Sequence, residues 1–79
     1  MKKSLHSSAY KVLRERLVAA RHEANLSQHE LAKRLGRNQS FVAKYEGGER
    51  RIDLVELLYI ARLLRLDEKR LLQAVKSEL

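Results

Sequence analysis

The sequence predicts an all-α fold of five helices, and three observations carry that prediction. Apolar residues recur at three- and four-residue steps in five successive stretches, cap-forming Ser, Asn or Asp residues open four of them, and no run alternates apolar and polar as a half-buried strand would. Proline is absent, and the three glycines, Gly36, Gly47 and Gly48, fall between helical stretches rather than within them.

The first stretch covers residues 8–24, where Leu13, Leu17, Ala20 and Ala24 share one stripe and Asn25 is a plausible stop. Ser27-Gln28-His29-Glu30 then has the Ser-x-x-Glu form of a capping box, which opens a short second helix. Its inner side is expected to hold Leu31, Ala32 and Leu35, and Gly36 ends it because a left-handed backbone is cheapest at glycine. Asn38 can cap a third short helix through Glu46, with Val42 and Tyr45 turned inward and Gln39, Ser40, Ala43 and Lys44 turned elsewhere. Gly47-Gly48 breaks the chain again. Asp53 caps a fourth helix whose Leu54, Leu57, Leu58, Ala61 and Leu64 are expected to form a mostly buried apolar face. Asp67 opens a fifth, carrying Leu71, Leu72, Val75 and Leu79.

With 79 residues, the sequence suits a single domain spanning 1–79, in which residues 1–7 are expected to be a flexible basic arm. Cysteine is absent, so neither disulfides nor thiolate metal sites can hold the fold. No apolar run approaches the roughly 18 residues that span a bilayer, and no hydrophobic signal core follows Met1-Lys2-Lys3. The expectation is a cytoplasmic protein without membrane association. Residues 1–51 carry twelve Lys and Arg against five Asp and Glu, whereas residues 52–79 carry five of each, so the whole formal charge of +7 resides in the front part. That asymmetry points to one face made for a polyanion and another for packing or a partner. Charge alone leaves DNA, RNA and an acidic membrane surface open.

Two short helices joined by a three- or four-residue turn containing glycine match the helix-turn-helix, whose second helix reads base edges in the major groove of DNA. The core of this unit is residues 27–46. Leu26-Ser27-Gln28-His29-Glu30-Leu31-Ala32, followed by Leu35-Gly36-Arg37-Asn38-Gln39-Ser40-Phe41-Val42-Ala43-Lys44-Tyr45-Glu46-Gly47-Gly48-Glu49-Arg50, resembles the XRE family of lambda-repressor-like and Cro-like regulators. The resemblance extends through Ile60-Ala61-Arg62-Leu63-Leu64-Arg65-Leu66-Asp67 and covers roughly residues 10–75. It implies a five-helix lambda-repressor-like DNA-binding domain that acts as a transcriptional regulator, in the first instance a repressor, with double-stranded DNA as its partner. The chain departs from the family where a proline often follows the glycine-arginine stretch; here Ile52-Asp53 stands, which predicts a different loop path.

The resemblance also implies roles for individual residues. Gln28 stands where the family anchors a phosphate with a side-chain amide and helix N–H groups. Gln39 matches the family's main base-reading glutamine, and its amide has the geometry to pair with adenine N6 and N7. Asn38, Ser40, Ala43 and Lys44 complete the reading segment: Lys44 suits guanine O6 or N7, or a phosphate, and Ala43 suits a thymine methyl. Arg37, Arg50 and Arg51 lie on the flanking loops, placed to neutralise phosphates without reading sequence. Phe41 is expected to be a packing residue, partly exposed, rather than a stacking platform. In the family, the acid at Glu46 pairs with an arginine of the first helix, which here matches Arg21.

No catalytic constellation emerges. His6, His22 and His29 lack a third ligand at metal-site spacing, no Gly-rich phosphate loop or nucleophile elbow is present, and Glu23 and Glu30 read as helix surface and cap. Neither an enzyme, a metal nor a cofactor is expected. Because one recognition helix reads only a few base pairs, a homodimer is expected, with Leu71, Leu72, Val75 and Leu79 supplying its contact unless they close the domain's own core. A second class stays open at this stage: an antitoxin or other protein-interaction module with an unidentified protein partner and only secondary DNA binding.

Overall fold

The computed structural model describes residues 7–79. The basic arm expected at residues 1–7 thus lies, Ser7 apart, outside the described residues, and so does His6. Five helices follow in order: α1 (Ser8–Glu23), α2 (Gln28–Leu35), α3 (Gln39–Glu46), α4 (Leu54–Leu63) and α5 (Glu68–Lys76). There is no strand among the described residues.

Each helix starts on a side chain that accepts a backbone N–H otherwise left orphaned at a helix N-terminus. Ser7, Ser27, Asn38, Asp53 and Asp67 accept from Tyr10, Glu30, Phe41, Glu56 and Arg70 respectively. Two of these are full capping boxes: Ser27 with Glu30, as expected, and Asp53 with Glu56, whose three-residue spacing is equally visible in the sequence. The first four helices all end alike. A residue in the left-handed region donates back three positions and the next residue donates back five, as in Asn25 to His22 and Leu26 to Arg21. Gly36, Gly48 and Arg65 occupy the same position after α2, α3 and α4, with φ of 70°, 80° and 56°. Arg65 is the odd member, because a Cβ there crowds the following carbonyl.

The core gathers Leu17 and Ala20 from α1, Leu31 and Ala32 from α2, Phe41, Val42 and Tyr45 from α3, and Ile60 from α4, together with Leu26 and Leu64 at helix ends. α2 packs on α3 more extensively than any other helix pair, since Ala32 and Val42 are fully enclosed between them. α1 serves as the platform for both α3 and α5. Ala24 does not join the stripe assigned to it; it caps α1 and is exposed.

The apolar face of α4 differs from expectation. On α4, Leu54 and Leu58 are exposed, as are Val55 and Tyr59, while Ile60, Ala61 and Leu64 go inward with Leu57 half-buried. The physical reason is rotation. At about 100° per residue, residues 57, 60, 61 and 64 fall within one narrow arc, and the core has room only for that arc. On α5, Leu71 is buried and Val75 half-buried against the rest of the fold, whereas Leu72 and Leu79 are exposed, so the stripe is divided between the core and the surface.

Candidate nucleic-acid interface

The outward surface of α3 follows from its cap and its pitch. With Asn38 fixing the start and about 100° per residue, Gln39, Ala43, Ser40 and Lys44 share about 140° of the helix surface, and Phe41 and Glu46 border that face on either side. The structure agrees: Gln39, Ser40 and Lys44 are exposed, Ala43 is half-buried, and Val42 and Tyr45 are fully buried beneath them. Asn38 is also exposed, but its Oδ1 is already engaged, accepting from the Phe41 N–H at 3.3 Å and from the Ser40 hydroxyl at 2.6 Å. Any contact from Asn38 to a ligand therefore falls to its amide nitrogen.

One border of this face is an ion pair that ties α3 to α1. Arg21 donates through Nε and Nη2 to the two carboxylate oxygens of Glu46, at 2.8 and 3.0 Å, and through Nη1 to the Leu26 carbonyl at 2.9 Å. The side chains are only 10% and 6% exposed. The hydrogen bonds that Arg21 donates to Glu46 hold its guanidinium above its ordinary pKa against the opposing effect of burial. The pairing implied by the sequence resemblance is therefore present. What the sequence did not reveal is the third member: Gln28 Nε2 donates to Glu46 Oε1 at 2.9 Å. Gln28 is half-buried, so it is a strut between α2 and α3 as well as a side chain at the mouth of α2.

The other border is built on Phe41, which is buried rather than partly exposed. The Arg37 guanidinium carbon stands 4.1 Å from the ring centroid and that of Arg50 4.7 Å, so two cations cover the ring. Both arginines also converge on Glu56, the third residue of α4. Arg50 donates to both carboxylate oxygens at 3.0 Å, and Arg37 to Oε2 at 3.0 Å. These bonds, Arg50 first, hold the Glu56 carboxyl at about 2, well below the usual carboxylate range. Both arginines are thus held by Glu56 as well as placed on the flanking loops. Arg51 is exposed, and its carbonyl accepts from Arg50 Nη1 at 2.7 Å.

The loop that presents Arg50 and Arg51 is fastened to α1. The Ile52 N–H, a donor that proline lacks, bonds the Tyr10 hydroxyl at 2.6 Å, so the departure from the family's proline here gains an anchor. Gly48 supplies the rest: besides its positive φ, a Cβ there would stand 3.2 Å from the Arg14 guanidinium carbon. Tyr10, Arg14 and Glu56 are thus supporting residues that the sequence reading missed. Only Glu56 had left a signal, its three-residue spacing from Asp53.

The arrangement amounts to a two-helix unit braced by ion pairs on both borders, with one polar, exposed face and basic groups at its margin. Residues 12–73 match the model of a helix-turn-helix domain family. A solved structure described as an XRE-family like protein from Pseudomonas syringae pv. tomato str. DC3000 superposes with a TM-score of 0.82 at 42% identity, covering 91% of this chain and 88% of that one. The chain belongs to the XRE family. None of the curated proteins compared matches it. As an XRE protein it is a member of a family of helix-turn-helix DNA-binding regulators, and its five helices are the lambda-repressor-like arrangement expected from the sequence. Among the described residues of this XRE chain, no helix is long and apolar enough to cross a membrane. Nor do three or more His, Cys, Asp or Glu side chains gather there as a metal site would require.

Proposed function

We propose that this XRE protein is a sequence-specific transcriptional regulator of the cytoplasm that inserts α3 into the major groove of duplex DNA. The observation that carries the reading is the outward face of α3: Gln39, Ser40, Ala43 and Lys44 project together from a helix whose other sides are locked by the Arg21–Glu46 pair and the Phe41 packing. Gln39 supplies the bidentate amide for adenine, Lys44 a donor for guanine or phosphate, and Ala43 an apolar contact. Arg37, Arg50 and Arg51 bring positive charge to phosphates beside the groove. Gln28 keeps its second amide N–H, and α2 its first-turn N–H groups, for a phosphate on the opposite border. The action proposed is repression, because a small domain lying in the groove excludes other proteins without needing any further surface.

An eight-residue recognition helix covers only a few base pairs, so two copies on a two-fold site are part of the proposal. The surface for the second copy is the exposed apolar side of the back half: Leu72 and Leu79 on the α5 side, and on α4 Leu54 and Tyr59, each 68% exposed, beside Val55 and Leu58. Selection of bound fragments from a randomised duplex pool tests the whole reading. It should return a motif of two symmetric half-sites separated by about one helical turn. Recovery of no motif above the input pool would refute sequence-specific binding. Sedimentation showing only monomer at high micromolar concentration, with one chain per bound site, would refute the dimer.

A further inference from the structure

Glu56 stands at the centre of the Arg37–Phe41–Arg50 border but lies on α4, outside the helix-turn-helix. Its Oε1 accepts from Arg50 Nη1 and from the Asp53 N–H, and its Oε2 from Arg50 Nη2 and Arg37 Nη1, all at 3.0 Å. That fills the roughly four acceptor positions of a carboxylate. The side chain is 15% exposed, against 42% for Arg37 and 36% for Arg50, so the arginines stand between Glu56 and solvent. They come from opposite ends of α3: Arg37 immediately precedes its cap and Arg50 follows its terminal turn. One carboxylate therefore fixes two guanidinium groups over one ring, with a combined charge of +1 instead of +2.

These two effects act differently on different DNA. Sequence-independent binding depends on how many phosphates are neutralised and hardly on side-chain geometry. Binding to a selected site depends also on donors being held in register with the duplex. A carboxylate that cancels one charge while immobilising both arginines weakens the first kind of binding more than the second.

We propose that Glu56 is a specificity-determining residue, which positions Arg37 and Arg50 beside the recognition helix and limits sequence-independent affinity by cancelling one of their charges. The proposal rests on the DNA-binding reading above. It goes beyond the capping box that Glu56 forms with Asp53, because a cap alone would leave Arg37 and Arg50 unheld, and its loss would change affinity for selected and random duplexes alike.

The test is a salt titration of the full chain with a labelled random-sequence duplex and with a duplex recovered by selection, comparing wild type with Glu56→Gln. Glutamine keeps an acceptor oxygen for the Asp53 N–H, so the cap survives while the charge is lost. On random-sequence DNA, the slope of log K against log salt should steepen by about 0.9 per bound chain. For lines that meet at 1 M salt, this is about an eight-fold gain in affinity at 0.1 M. The selected duplex should gain less, so the ratio of selected to random affinity falls. An unchanged or shallower slope, or an equal gain on both duplexes, would overturn the proposal. Should Glu56→Gln melt below the assay temperature, Arg50→Gln against Arg50→Gln/Glu56→Gln carries the same test: the double variant should be steeper than the single by about 0.9. Wild type with no salt-dependent DNA binding would instead refute the DNA-binding reading itself, which keeps the two failures apart.

Discussion

Glu46→Gln is the perturbation that most sharply probes how the recognition helix is held. The carboxylate receives Nε and Nη2 of Arg21 and Nε2 of Gln28, and both partners of the ion pair are nearly out of solvent at 10% and 6% exposure. Removing one partner of a buried pair costs about 3 to 5 kcal/mol, because the other charge is left uncompensated. Glutamine retains the shape and one acceptor oxygen, which places the expected loss near 3 kcal/mol, the low end of that range. Total stability for a chain of this length is about 4 to 12 kcal/mol, so the variant should remain folded in the cold but melt early. At about 4 to 8 °C per kcal/mol, the expected fall in Tm is roughly 12 to 24 °C. Thermal melts by circular dichroism measure it, with Arg21→Gln and Arg21→Gln/Glu46→Gln completing a double-mutant cycle. The double variant should be less destabilised than the sum of the singles, since it leaves no orphaned charge. A Tm within about 3 °C of wild type for Glu46→Gln, or strict additivity in the cycle, would refute the claim that this pair fastens α3 to α1.

Three further outcomes follow from single features of the structure. The Tyr45 hydroxyl is buried with no hydrogen-bond partner among the described residues, and burial pushes its pKa up, so Tyr45→Phe should raise stability by about 1 kcal/mol while keeping the edge-on contact with Phe41 at 5.3 Å. A loss of comparable size in a chemical-denaturation curve would show that the hydroxyl has a partner. Arg65 ends α4 at φ 56°, and Arg65→Gly should gain about 1 kcal/mol by relieving the left-handed strain, an idea abandoned if urea midpoints fall instead. Glu56 is depressed from 4.5 to about 2. Its contribution is therefore fully present above about pH 5 and is lost as the pH falls toward 2, because a carboxyl with a lowered folded pKa takes up its proton more readily in the unfolded chain. Melting temperature against pH should consequently drop less steeply through that acid range for Glu56→Gln than for wild type, and parallel curves would count against the ion-pair cluster.

How much of this was legible in the sequence depended on whether the deciding chemistry was local. Ser27, Asn38, Asp53 and Asp67 could be read as caps because the donor each accepts lies three residues ahead, and Gly36 as a stop because glycine favours positive φ. Arg65 performs the same stopping role, yet nothing about arginine announces a left-handed backbone. α4 was misread for a related reason. Its run Leu54-Val55-Glu56-Leu57-Leu58-Tyr59-Ile60-Ala61 is apolar almost all round, so periodicity cannot choose the buried arc, and the choice falls to packing against the rest of the core. The outward face of α3 followed from one cap and the helical pitch. Its margins did not, because Gln28 meets Glu46 across 18 positions and Arg37 meets Glu56 across 19, pairings that only the tertiary fold creates. The sequence therefore conveyed where positive charge lies but not that Glu56 takes up part of it.

Whether α3 reads bases is decided by the affinity of Gln39→Ala for a selected duplex and for a panel carrying every single-base change within it. Gln39 is exposed in the first turn of α3, with no structural partner among the contacts of the described residues, so the variant should melt as wild type does. A loss of about 1 to 3 kcal/mol is expected on the selected duplex, with discrimination relaxed at one base pair per half-site and intact elsewhere. If Gln39→Ala retains full discrimination at every position of the panel, the assignment of Gln39 as the base-reading side chain is contradicted.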